Sequence, residues 1–233
     1  MNKACLFCAG AAALISATPA EAYPLNPWGA RVPDKTIALN PFLYAYPGPS
    51  FTGIGYAGVG FGERFDVYAG LSVNSLGPDL DNVLTMGTME FFPRVFLTED
   101  VAIAPHLYYT PGGEFIPALE VHSAKAFGSF SLTTNAGWKP VVDDGFSSGS
   151  VFLNVAPEYY FSDQFSAFVE VAPTIPLESA GDTYVSINPG IWFALDAEQK
   201  HSFALALQIA VPPEDPFSNS LSGGIWYATT IGY

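Results

Sequence analysis

Seven ionisable side chains recur at strand-like spacing along this chain: Glu90, Arg94, His106, Glu120, His122, Glu158 and Glu170. "MEFFPRV" sets Glu90, Phe92 and Arg94 on one parity and Met89, Phe91, Pro93 and Val95 on the other. "IAPHLYY" does the same for His106, and "LEVHSA" for Glu120 and His122. Successive strand residues point to opposite faces, so each ionisable group lies opposite an apolar set that is nearly free of charge. Catalysis would require a nucleophile beside a base. His122 is followed by Ser123, but sequence neighbours on a strand face apart and cannot form a dyad. His201 falls at a turn, and no GxSxG, HExxH or phosphate loop occurs. The residues therefore predict no enzyme, no cofactor and no metal site. What they can do is line an interior. Buried carboxylates need partners or water. Glu90 and Arg94 are close enough on one face to share a network, but the other glutamates outnumber the cations. That leaves carboxyls that keep their protons, a wet passage that prefers cations, or an architectural polar network. The same face carries Asn40, Asn188 and Gln208, with Phe42, Tyr44, Tyr68, Phe92, Tyr108, Phe152, Tyr160, Phe168, Trp192 and Trp226.

The elements that must position these groups are strands. "FDVYAGLSVNS", "SFSLTTNAGW" and "HSFALALQIAV" each alternate between an apolar and a mixed set. Continued along the chain, this pattern gives about twelve segments of ~10 residues, the length of strand that crosses a bilayer at a tilt. They run near 36–46, 51–61, 65–75, 83–97, 101–111, 114–126, 129–138, 150–161, 164–176, 183–195, 201–211 and 221–233. Tight connections such as "GER", "TED" and "SDQ" alternate with looser ones such as "LGPDLDN", "KPVVDDGFSSG" and "PPEDPFSNS". Short turns on one rim and long loops on the other describe an all-β, single antiparallel up-and-down transmembrane β-barrel. With an even strand number, both termini fall on the short-turn, periplasmic rim. A secreted β-sandwich would alternate too, but it would hide its apolar face rather than present it to lipid.

Composition narrows the class. The net charge is −14, yet charged residues are only 13% of the chain and apolar residues 49%. A nucleic-acid binder would need a basic stripe, which is missing. The opening "MNKACLFCAGAAALISATPAEA" has the layout of a signal peptide cleaved after Ala22, and it holds both cysteines, Cys5 and Cys8. The predicted organisation is a signal peptide over 1–22, a periplasmic lead-in over 23–35 and the barrel over 36–233. The looser loops are acidic, with Asp79, Asp81, Glu114, Asp143, Asp144, Glu178, Asp182, Glu214 and Asp215 against Lys139. They suit solubility or divalent cations bridging lipid headgroups, although no calcium-loop spacing occurs. Seven prolines (Pro41, Pro93, Pro105, Pro117, Pro157, Pro173 and Pro189) share the apolar parity of their strands. Proline cannot donate to a ladder, so they predict either a lipid-facing belt near the periplasmic rim, with a bulge or local bend at each lost bond, or strand ends.

The signal peptide, the alternating strands and the terminal "IWYATTIGY" resemble Gram-negative outer-membrane β-barrel proteins. The last strand of that class ends in an aromatic residue preceded by alternating apolar residues. Ile225, Tyr227, Ile231 and Tyr233 match, and Thr229 fits less well. The resemblance implies an outer-membrane location, a lipid surround and reading of this end by the barrel-assembly machinery. It identifies the class rather than a subfamily, with small transporter-like barrels the nearest kind. The expected function is a passive channel or transporter for small solutes, lined by the glutamates and aromatics. The alternative is a structural or adhesive barrel with a closed lumen, acting through its acidic loops.

Overall fold

The computed structural model describes residues 31–45, 51–75, 85–140, 148–177, 183–196, 200–211 and 221–232. The expected signal segment and most of the long acidic loops lie outside them, as does Tyr233. Twelve strands account for most of the described residues. They are β1 (Thr36–Ala45), β2 (Phe51–Phe61), β3 (Phe65–Ser75), β4 (Thr85–Phe96), β5 (Val101–Tyr109) and β6 (Phe115–Phe127), then β7 (Phe130–Pro140), β8 (Gly149–Ser162), β9 (Phe165–Pro176), β10 (Tyr184–Ala194), β11 (His201–Val211) and β12 (Leu221–Gly232). Each pairs antiparallel with its chain neighbours, and β1 pairs with β12 from Thr36↔Gly232 to Ala45↔Gly223, which closes the barrel. Period-two alternation was therefore sufficient to locate the strands to within about two residues.

The two faces differ as alternation requires. Leu43, Phe91, Leu107, Leu119, Leu153, Val169, Leu205 and Ile225 are all exposed on the outside, while Phe42, Phe92, Tyr108, Phe152, Phe168 and Trp226 are buried within. Outside, at the short-turn rim, aromatic rings gather in contact: Phe61 with Phe65, Phe127 with Phe130, Phe161 with Phe165, Phe165 with Phe193, and Phe203 with Tyr227. Tyr109 and Phe115 meet at the other rim. An apolar band between aromatic girdles is the outer surface of a membrane barrel. Lys125 is a charge on this face; it sits near the short-turn rim, 3.4 Å from Asp100.

All seven prolines lie inside strands, and the chain does not reverse at any of them. Each keeps its ladder on one side, with pairs Pro41↔Gly55, Val67↔Pro93, Pro105↔Leu119, Leu107↔Pro117, Leu132↔Pro157, Val185↔Pro173 and Pro189↔Val169. On the other side pairing lapses. The β1–β12 ladder skips from Leu39 to Phe42, β4–β5 from Phe91 to Val95, and β10–β11 from Ile187 to Gly190. The β8–β9 ladder skips at both Pro173 and Pro157, and β6–β7 begins only at Leu119, past Pro117. Of the bulge or local bend expected at each lost bond, no bulge occurs at these prolines. Register is the same on both sides of each gap, and the irregularities that do occur, between Leu71 and Val73 and between Tyr160 and Ser162, are not at prolines. A missing N–H removes one side's bond without adding a residue, so pairing opens and resumes in phase.

The interior is filled by a repeated device. Tyr56 lies over Gly70, Tyr68 over Gly58, Phe152 over Gly137, Phe168 over Gly190 and Tyr44 over Gly224; in each case the two residues are cross-strand partners. A Cβ at any of these glycines would strike the ring. The glycines are thus seats that let rings lie flat on the inner wall, a cross-strand pairing that helps fix register. The last residues of the lead-in also enter. Val32 is buried in the inner aromatic cluster, and its N–H donates to Asp66 Oδ2 at 2.9 Å. The Val32 and Pro33 backbone crosses Gly60, where a Cβ would collide with it.

Gly190→Ala should destabilise the refolded barrel by about 1–3 kcal/mol, because its methyl meets both the Phe168 ring and the Leu205 carbonyl. Gly55→Ala, where a Cβ meets nothing within 4 Å, should change stability far less in the same denaturant titration.

Candidate functional site

The inner wall carries a continuous run of stacked, tilted and edge-on rings that reaches from β9 and β12 across the closure to β5. It passes from Phe168 to Trp226, Phe42, Tyr56, Phe92 and His106, with neighbouring centroids 4.2–6.4 Å apart. His106 then stacks against both Tyr108 and His122, at 5.8 Å each. These rings form a low-dielectric setting in which every polar group must be matched.

The seven predicted residues all occupy this inner face. Glu90, Arg94, His106, Glu120, His122 and Glu170 are buried, and Glu158 is half-buried. They do not form one network. Arg94 belongs to Asp66, its cross-strand partner, through a bidentate pair: Nε to Oδ1 at 2.8 Å and Nη2 to Oδ2 at 2.7 Å. Its guanidinium also lies over the rings of Tyr68 and Phe96, at 4.9 and 5.1 Å. Both ions are completely buried, so the pair is neutralised by geometry rather than by solvent. Glu90, on the same face of β4, accepts from the Tyr56 hydroxyl at 2.7 Å and meets His106 Nδ1 at 2.7 Å.

A second centre spans β5–β7. Glu120 Oε2 accepts from Asn135 Nδ2 at 2.8 Å and faces His122 Nε2 at 3.0 Å. His106 Nε2 is 3.4 Å from the same oxygen. The Tyr108 hydroxyl donates to Glu120 Oε1 at 3.3 Å. Lys139, which the sequence placed among the loops, ends β7 and holds its ammonium 4.4 Å from the Tyr108 ring centre.

The remaining two carboxylates stand apart. Glu158, near the short-turn end, accepts from Tyr160 at 2.9 Å, from Ser131 at 3.3 Å, and from Ser166. Glu170 lies opposite Asn188 on β10, and neither of its oxygens has a hydrogen bond of normal geometry. At the end of β12, Ile225 and Ile231 are exposed on the outer face, and the Tyr227 hydroxyl meets His201 Nδ1 at 2.5 Å.

Sequence reasoning missed Asp66 and Tyr56. The pairing of Asp66 with Arg94 depends on the β3–β4 register, and the long connection between those strands leaves that register open. Tyr56 stands among the glycines of "GIGYAGVG". That glycine run was the available signal, since glycines at alternate positions mark where rings from the next strand lie.

No protein-family model matches this chain, and no curated protein matches it by sequence. Solved structures do match its architecture. The KdgM porin aligns with TM-score 0.55 over 82% of this chain and 98% of its own, at 9% identity. The NanC porin aligns with TM-score 0.57 over 83% and 98%, at 7% identity. An outer membrane channel from Pseudomonas putida F1 aligns with TM-score 0.57 over 90% and 100%, at 14% identity. The fold is that of outer-membrane channel barrels. At these identities the likeness is one of strand arrangement, and the inner side chains of this chain have to be read on their own.

Arg94→Met should cost about 3–5 kcal/mol in unfolding free energy, because it leaves Asp66 buried without its ion. The double variant Asp66→Asn/Arg94→Met should recover much of that loss. The check is a double-mutant cycle by denaturant titration, with strand content followed in parallel.

Proposed function

We propose that this chain is an outer-membrane barrel that acts as a passive, narrow channel for small solutes and favours cations. One observation carries the reading: a closed barrel with an apolar outer face holds, on its inner face, Asp66, Glu90, Glu120, Glu158 and Glu170 against Arg94 and Lys139. Carboxylates in excess of fixed cations give an interior a negative field, which concentrates cations and repels anions. Ser131, Thr133, Glu158 and Tyr160, at the short-turn end of β7 and β8, are among the half-buried residues of this lining. The matching barrels, two described as porins and one as a channel, support the same reading. In it, the apolar band faces lipid, and Ile225, Tyr227 and Ile231 are the part of β12 that an assembly machinery would read.

A second reading has its own support. Asp66, Phe92, Arg94, Glu170 and Asn188 have no solvent contact at all. An interior filled at that level suits a closed barrel that acts through its loops.

Planar-bilayer recording of the refolded chain separates the two. The channel reading expects small, steady, cation-selective currents. Absence of both conductance and solute uptake into vesicles would leave the closed barrel. Removing one carboxylate beside the path removes about 1 kcal/mol of attraction at 4 Å in water. Glu158→Gln should therefore lower the cation-to-anion permeability ratio several-fold, with Glu170→Gln adding to the effect if the deeper wall is also lined. An unchanged ratio in both variants would remove these residues from the path.

A further inference from the structure

We propose that His106, Glu120 and His122 form a binding site for one divalent transition-metal ion of the zinc class on the inner wall of the barrel. The proposal does not depend on whether the lumen conducts.

The three ligands come from adjacent strands. His106 is on β5, and Glu120 and His122 are two residues apart on β6, so that both project inward. One ligand atom from each lies within 4.8 Å of the other two. His122 Nε2 is 3.0 Å, and His106 Nε2 3.4 Å, from Glu120 Oε2. Ligand atoms about 2.0–2.2 Å from a tetrahedral zinc ion lie roughly 3.3–3.6 Å from one another, close to the separations of both imidazoles from Glu120 Oε2. Two imidazoles and one carboxylate with a fourth position open is a familiar zinc ligand set.

The independent sign is His106. Its Nδ1 meets Glu90 Oε1 at 2.7 Å, and Glu90 is itself held by Tyr56 at 2.7 Å. His106 Nε2 is buried, makes no hydrogen bond of normal geometry and lies 3.4 Å from Glu120 Oε2. A buried ring nitrogen left without a partner beside a carboxylate oxygen offers two ligand atoms to one ion. Arg94 is matched by Asp66.

The outer contacts are those a metal site requires. A second carboxylate orients one imidazole, and Asn135 and Tyr108 hold the ligating carboxylate from two sides. Nitrogen and oxygen donors without thiolate suit zinc, cobalt, nickel or copper, and too few oxygens are present for calcium.

The chain contains three histidines, and His201 lies elsewhere, against Tyr227 and Thr229 at the short-turn rim. Coordination by two imidazoles within one chain therefore identifies the site. The untagged chain from residue 23, which lacks the two cysteines of the expected signal peptide, is refolded in detergent, stripped with chelator and titrated with Zn2+ by calorimetry, then with Co2+ by visible absorption. The expected result is one ion per chain, strong tetrahedral cobalt bands, and two imidazole ligands by X-ray absorption of the zinc form. His106→Gln and His122→Gln should each weaken binding by about tenfold or more, while His201→Gln leaves it unchanged. Heat-modifiable gel mobility verifies that each variant is folded. The proposal is overturned if the unaltered chain binds no ion, or if its bound ion has fewer than two imidazoles. It is equally overturned if a folded His106→Gln/His122→Gln variant binds as tightly as the parent. The X-ray absorption result uses the parent chain alone, so it decides the matter even if both variants fail to fold.

Discussion

A sheet whose outer face is apolar can stand in lipid only if every strand edge is paired, because the hydrocarbon offers no water to an open N–H or C=O. Closure of β1 on β12 meets that condition, and the other features adapt to it. The prolines show how far the rule bends. Each sits on the outer parity, keeps its ladder on one side and lapses on the other, without shifting the register. Pro93 and Pro105 even lapse into the same gap between β4 and β5, so two missing donors open one interruption rather than two. The ring tolerates these local losses because pairing resumes in phase on both sides.

Closing twelve strands also creates an interior that has to be occupied. Here the occupants are mostly rings seated on glycines. The glycine positions decide where a ring can lie flat, and the rings in turn decide how dry the wall becomes. In that dry setting the polar groups resolve into separate centres. Asp66 and Arg94 neutralise each other completely, Glu90 and Glu120 share two histidines, and Glu158 is served by hydroxyls. Glu170 remains buried without a normal hydrogen bond. The ring run reaches from Phe168 on β9 through Trp226 on β12 to His106 on β5, and the half-buried Glu158 on β8 is the cross-strand partner of Phe168.

This filling frames both functional readings. A fold shared with porins can host many tasks, and the strands alone do not choose among them. Rings seated on the wall narrow whatever passage exists. The histidine centre is part of that ring-lined wall. It would tie β5 to β6 at a point where neighbouring β4–β5 pairing is interrupted by two prolines.

Much of this architecture was legible without coordinates, for a specific reason. A residue's side of a strand depends only on its parity, so strands, their number, the apolar outer face and the inward set of seven ionisable residues all followed from period two. What parity cannot supply is which residues meet across strands. That depends on register, and register across a long connection is set by packing in the closed ring. Asp66 therefore emerged as the partner of Arg94, Tyr56 emerged from a glycine run, and His106 reached the pair on β6. Whether those inner groups leave room for a solute is likewise decided by three-dimensional filling of the ring, about which the order of residues along one strand is silent.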